Sequence, residues 1–189
     1  MYLVEIGIIQ KELLCEYPNG ILCSHVHNGV PGVTVTTGSL GHGLGTAVGM
    51  AEALRLSGRS DTVYCVMGDG ECQEGSVWEA ARLAVASGLD NLVVVVDRNG
   101  IGATGFVNGM DWVNHWNSLG WEVRMVNGHS VDKLMHGFWG IETKQTGRPL
   151  VIVANTVKGH GVAFMENQPI WHSRVPEKGE VEKVMEALA

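Results

Sequence analysis

Residues 66–75 read VMGDGECQEG, with Asp69 between Gly68 and Gly70 and two further carboxylates, Glu71 and Glu74, close behind. So dense a group of like charges needs a cation, a shared proton or a set of donors to hold it. Thirty residues after Asp69 comes Asn99, inside a second acidic, glycine-closed turn, Asp97-Arg98-Asn99-Gly100. A carboxylate, an amide oxygen and a free carbonyl from the turn after Asn99 would form an all-oxygen donor set with few protein groups. Such a set suits Mg²⁺, which favours octahedral oxygen coordination and completes its shell with water and phosphate oxygens. The remaining oxygens of a diphosphate could take N–H bonds from Gly68, Gly70 and the glycine-rich turn that runs from Gly38 to residue 43, at a helix N-terminus. GDG alone reads more often as a plain turn, but its pairing with DRNG at this spacing points to a site.

For the two turns to meet, each must end a strand of one sheet. TVYCVM (62–67) leads into the first turn, and LVVVV (92–96) leads into the second. The unbroken β-branched run marks a strand covered on both faces, hence central. Between them, Gln73–Ser87 carries its apolar residues at helical spacing and stops at Gly88. The same reading predicts an amphipathic helix over 3–15, a glycine-rich buried helix over 39–57, strands at 121–126 and 149–156, and helices at 131–143 and 180–188. Strands alternating with helices imply an α/β fold, a doubly wound and mainly parallel sheet with helices on both faces and ligands at the carboxyl ends of the strands. There is no repeat, low-complexity tract or evident linker, so residues 1–189 read as one domain.

Composition narrows the function classes. With 45% hydrophobic and 17% charged residues the chain belongs with ordinary globular proteins. A formal net charge of −7, without any long run of Lys or Arg, gives no footprint for nucleic acid or an anionic membrane. No apolar stretch approaches the roughly 20 residues that span a bilayer, and the N-terminal residues do not read as a signal peptide, so a cytoplasmic location is expected. Cys15, Cys23, Cys65 and Cys72 show no CxxC spacing, which favours free thiols over a disulfide framework or zinc site.

The segments GDGECQEGSVWEAA and LDNLVVVVDRNG resemble the thiamine-diphosphate motif in its transketolase form, with TTGSLGHGLGTAVGMA, NTVKGHGVAFMEN and IWH in the expected order around it. The resemblance runs over nearly the whole chain and is specific to the diphosphate-binding half of split transketolases. It implies thiamine diphosphate and Mg²⁺ as cofactors, with Asp69, Asn99 and the Ile101 carbonyl as metal ligands. Gly38, Leu40, Gly68, Gly70, Asn99, Val157 and His172 would contact the cofactor, Leu40 and Val157 as apolar walls for its rings. His25 and His172 match histidines that touch cofactor and substrate, although His25 precedes Val26 where proline is usual. Glu74 and Glu79 match interface acids that share protons between two active sites.

The same resemblance implies transfer of a two-carbon ketol unit from a ketose to an aldehyde, within a heterotetramer. The catalytic glutamate would come from a separate pyrimidine-binding subunit. Family members usually begin several tens of residues earlier, and two histidines that steady the ketose donor are expected to be missing here. Decarboxylation of a 2-oxo acid with acyl transfer, and a non-catalytic cofactor-binding partner, are the competing readings.

Plainer structural roles stand beside these. Asp69 could cap a helix and Asn99 could serve only an Asn-Gly turn. Glu74 and Glu79 could simply face solvent in a first helical turn, and the tryptophans fit the core or an interface better than a substrate platform. Cys72 stands beside the acidic turn without a histidine next to it in sequence, which argues against a nucleophile.

Overall fold

The computed structural model describes residues 7–16 (side chains through 13), 25, 27–103, 105–107, 109, 111–141 and 146–189. Within them, α1 (Gly43–Leu56) leads to β1 (Val63–Gly68), α2 (Gly75–Ala86) and β2 (Leu92–Arg98). A short hairpin follows, β3 (Ile101–Gly102) with β4 (Gly105–Phe106), then α3 (Trp112–Leu119), β5 (Glu122–Asn127), α4 (Val131–Phe138), β6 (Leu150–Asn155) and α5 (Lys178–Ala187). The main sheet has the order β1-β2-β6-β5, and all its pairs are parallel. This is the α/β, parallel, helix-flanked architecture expected, with LVVVV in the interior of the sheet.

Alternation along the strands divides the core in two. Val94 and Val96 of β2 join Val151 and Val153 of β6 on the face packed by α1, α2 and α3, through Leu44, Ala47, Ala51, Val77, Ala81, Ala84, Trp112 and Trp116. Val93, Leu150 and Ile152 point to the other face, where Phe138 of α4 and Ile141 meet them. Each such side chain, once fully buried, contributes about 1.5–3 kcal/mol, enough to fix which residues face which layer. α4 lies close because Gly137 has no side chain; a Cβ there would sit 3.2 Å from Val126 and 3.3 Å from Ile152.

Several boundaries depart from expectation for local reasons. In place of a helix over 3–15, the described part is a turn followed by a 3₁₀ helix, Lys11–Glu16, because Gly7 is at φ +74°, outside the right-handed helical region. Residues 3–6 of that expected helix lie outside the described residues. The helix expected from 39 begins only at Gly43, after Gly38 and Gly41 at φ +148° and +82°. α4 stops at Phe138, since Trp139 is extended and Gly140 is left-handed. α5 begins earlier than expected because Glu177 and Glu180 close a reciprocal capping box. No element was expected from the sequence at α3 or the β3–β4 hairpin, although Asp111 caps α3, Trp112, Trp116 and Leu119 recur at helical spacing and Gly120 ends it.

Candidate active site

β1 and β2 run in register so that Gly68 is paired with Asp97. The next residue, Asp69, donates its amide to the Asp97 carbonyl at 3.1 Å and turns its side chain inward. At 1% exposure Asp69 is the only buried charged residue among the described residues. Its Oδ2 accepts the Gly100 N–H at 2.6 Å, whereas its Oδ1 has no partner. Burial pushes the carboxyl pKa up and the nearby Asp97 charge adds to the rise; the amides of Gly100 and Gly70 and the Lys158 ammonium pull the other way. A buried carboxylate oxygen without a donor is costly once ionised, and a bound cation relieves that cost.

Asn99 is held on both sides of its amide. Its Oδ1 accepts the Ile101 N–H at 3.0 Å, and its Nδ2 donates to Asp97 Oδ2 at 3.2 Å. The Thr156 hydroxyl donates to the other Asp97 oxygen, so one carboxylate ties the end of β2 to the residue that follows β6. Such an outer carboxylate fixes which face of the amide presents oxygen to a metal. The hairpin closes against this turn through Val107 N–H to Gly100 O at 2.8 Å. Gly70 accommodates it, because a Cβ there would lie 3.0 Å from the Gly102 Cα.

These ends open into a cavity of about 370 Å³. Gly68, Asp69, Gly70, Glu74, Asn99, Ile101, Leu40 and His172 all line it, which brings together the larger part of the residues singled out in the sequence. Gly38 borders a neighbouring groove of about 170 Å³ with Thr36, Thr37, Ser39, His42 and Thr46. His25 lies against it, its Cγ 3.2 Å from where a Gly38 Cβ would be. Glu79 is exposed on α2, and Val157 stands beside the cavity lining rather than in it. Six lining residues had no role assigned from the sequence: Glu71 and Asp97, which stand in the two acidic turns, and Gln73, Gly102, Ala103 and Lys158. Lys158 had one usable signal, its place in TVKG directly after an apolar strand.

The segment that carries Lys158 and His172 is braced by its own residues, by His129 and by α5. Val157 donates its amide to His129 Nε2 at 2.7 Å, and the His129 ring stacks on His160 at 3.8 Å between centroids. Gly159, at φ +78°, allows the chain to pass Met165, whose carbonyl would be 2.6 Å from a Cβ. Trp171, next to His172, has the Arg174 guanidinium over its ring at 4.4 Å, and Arg174 pairs with Glu180 of α5 at 2.7 Å. His172 itself ends a 3₁₀ turn, Pro169–His172.

The donor types fit a hard cation. Among the described residues no group of three or more His, Cys, Asp or Glu side chains is placed to hold a metal. The orphaned Asp69 oxygen, the Asn99 amide and a turn carbonyl suit Mg²⁺ with a phosphate completing the shell. Cys65 and Cys72 are free and buried; burial raises Cys65 to about 11 and pushes Cys72 up further, so neither is a nucleophile. Cys23 and the Cys15 side chain lie outside the described residues.

Comparison with known proteins gives the family to which this cavity belongs. A protein family described as "Transketolase, thiamine diphosphate binding domain" matches residues 23–189. The chain belongs to the transketolase family. It is 38% identical to one of the subunits of the apulose-4-phosphate transketolase of Actinobacillus succinogenes, over 98% of this chain and 69% of that one. It is 41% identical to human transketolase-like protein 2, over 84% of this chain and 26% of that protein. The transketolase structure from Campylobacter jejuni superposes with a TM-score of 0.75 at 28% identity, again over 84% of this chain and 26% of its counterpart. This transketolase-family chain thus spans about a quarter of the longer transketolases and about two-thirds of the Actinobacillus relative. No helix among its described residues is long and apolar enough to cross a membrane.

Proposed function

We propose that residues 1–189 act as one diphosphate-binding domain, the thiamine-diphosphate- and Mg²⁺-binding subunit of a two-subunit, cytoplasmic transketolase that moves a two-carbon ketol unit from a ketose to an aldehyde. The observation that carries this reading is Asp69 Oδ1, a buried carboxylate oxygen without a partner at the mouth of the cavity where β1 and β2 end. Asp69, the free lone pair of Asn99 Oδ1 and the Ile101 carbonyl would hold the metal. Gly68 and Gly70 would let the diphosphate approach the backbone. The Lys158 ammonium would offset the phosphate charge that one divalent cation leaves over.

Bound thiamine diphosphate supplies a nucleophilic carbon and an electron sink for breaking and making the ketol carbon–carbon bond. The chain's own residues orient and enclose. Leu40 would form an apolar wall for the rings from the cavity lining, with Val157, Gly38 and His25 adding to it from just outside. His172, at the cavity edge, holds a substrate hydroxyl and can relay its proton. Glu74 and Glu79, exposed at and near the start of α2, are placed to meet a second subunit. The pyrimidine-binding subunit would contribute the catalytic glutamate, two copies of each chain forming a heterotetramer. The Actinobacillus relative is named as one subunit of its transketolase, which supports a divided enzyme of this kind.

The test is to isolate the tagged chain from its source with Mg²⁺ and thiamine diphosphate, then assay the eluate with hydroxypyruvate as donor and an aldehyde acceptor. Co-elution of a second subunit with ketol transfer is expected. Clean elution of an inactive homo-oligomer would contradict the proposal.

A further inference from the structure

Glu71 lines the cavity, yet its carboxylate is already committed. Its Oε1 accepts the Gly41 N–H at 3.0 Å, a bond between segments thirty residues apart. The carbonyl of the same glycine accepts the Ser76 hydroxyl at 2.9 Å. Gly41 is buried at φ +82°, and a Cβ there would fall 2.6 Å from Glu74 Cβ and 2.7 Å from Ser76 Oγ. Both polar groups of one backbone residue are therefore gripped by the segment that begins with Asp69. The residue before it is Leu40, 56% exposed and on the cavity lining. Two residues further on α1 begins, and its cap, His42, makes no side-chain capping bond. The turn is thus located by the grip on Gly41 rather than by its own cap.

We propose that Glu71 and Ser76 are positioning residues that clasp Gly41 and so hold Leu40 at a fixed place relative to Asp69, coupling the metal end of the cavity to the end that meets the cofactor's rings. This rests on the reading of the cavity as a thiamine diphosphate site. It also means that the Gly41 amide is spent on Glu71 and is not a donor to the diphosphate. A carboxylate acceptor near the N-terminus of a helix is electrostatically favoured, which strengthens the clasp.

Two ligands separate the clasp from a general loss of structure. Inorganic pyrophosphate with Mg²⁺ reports the metal end only, whereas thiamine diphosphate with Mg²⁺ reports both ends. The Glu71→Ala chain, in its native complex, should bind thiamine diphosphate about tenfold more weakly, the scale of one lost charge-assisted hydrogen bond. Pyrophosphate affinity should stay within about twofold, and exchange of the Gly41 amide with deuterium should accelerate at least about tenfold. Glu71→Gln, which keeps an acceptor oxygen at the same reach, should restore affinity to within about threefold of wild type. Equal loss for both ligands, no loss for either, or a Gln variant as weak as the Ala variant would overturn the clasp. If the wild-type complex bound neither ligand, the cofactor reading itself would fail; faster Gly41 exchange in the Ala variant would then reduce the clasp to a structural bond.

Discussion

Replacing Asp69 by Asn keeps the side chain's shape and its acceptor for Gly100 but removes the charge. Asp69 is buried with one oxygen unpartnered, so without metal its ionised form is a liability to the fold. An unsatisfied buried polar group costs about 1–3 kcal/mol and a charged one more, so the neutral amide, whose NH2 takes the unpartnered place, is the smaller liability. The Asp69→Asn chain should therefore melt higher than wild type in EDTA, by about 2–4 °C for each kcal/mol regained in a chain of this size. The pH dependence has a definite sign. Burial raises the folded-state pKa above the ordinary 3.8, so the native state holds its proton more tightly than the unfolded chain between the two values. Metal-free stability is then greatest below the unfolded pKa and declines as pH rises through the folded one; the variant lacks this slope.

Calorimetry across pH in EDTA, and again with Mg²⁺ and thiamine diphosphate, checks both halves. Wild type should gain stability from the cofactor pair, and the variant should gain none. A variant that melts lower in EDTA, or that still responds to Mg²⁺ and thiamine diphosphate, would refute the argument that Asp69 is held in a strained state for a cation.

Other substitutions probe the surrounding geometry. His172→Ala should leave cofactor affinity within about threefold while slowing ketol transfer at least about tenfold, read as a fall in kcat; an unchanged rate would remove His172 from the chemistry. Gly70→Ala places a methyl 3.0 Å from the Gly102 backbone, so it should cost about 1–3 kcal/mol in stability and weaken Mg²⁺-dependent binding by displacing the hairpin. Wild-type melting and affinity in that variant would show that the hairpin does not close on the GDG turn. Cys65 and Cys72, buried and with thiol pKa values raised, should resist iodoacetamide at pH 8 in the folded protein and react on unfolding.

What the sequence made legible follows the range of the forces involved. LVVVV announces its own burial because every side chain in it is apolar, and the spacing from GDG to DRNG equals one strand-helix-strand unit, which the Gly68–Asp97 pairing realises. α3 was missed because it is only eight residues long and carries Asn, His and Ser between Trp112, Trp116 and Leu119, although its Asp111 cap and Gly120 stop were there to read. The hairpin has two residues per strand, too few for an alternation to register. The late start of α1 follows the positive φ of Gly38 and Gly41, and the N–H that Gly41 donates to Glu71, thirty residues away, is something no local rule contains. Lys158 belongs to the site only because β6 lies beside β2 and brings Thr156 and its neighbours to the same edge, where the Thr156 hydroxyl meets Asp97. Glu79 and Val157 were assigned by resemblance, and both lie outside the cavity lining.

The central claim is that the ends of β1 and β2 form a metal-dependent diphosphate site. Its most direct test is isothermal titration of thiamine diphosphate into the chain with its partner, first with Mg²⁺ and then in EDTA. Saturable binding at one site per chain that disappears when the metal is removed is the predicted result. Binding of equal strength in EDTA, or none in either condition, would contradict it.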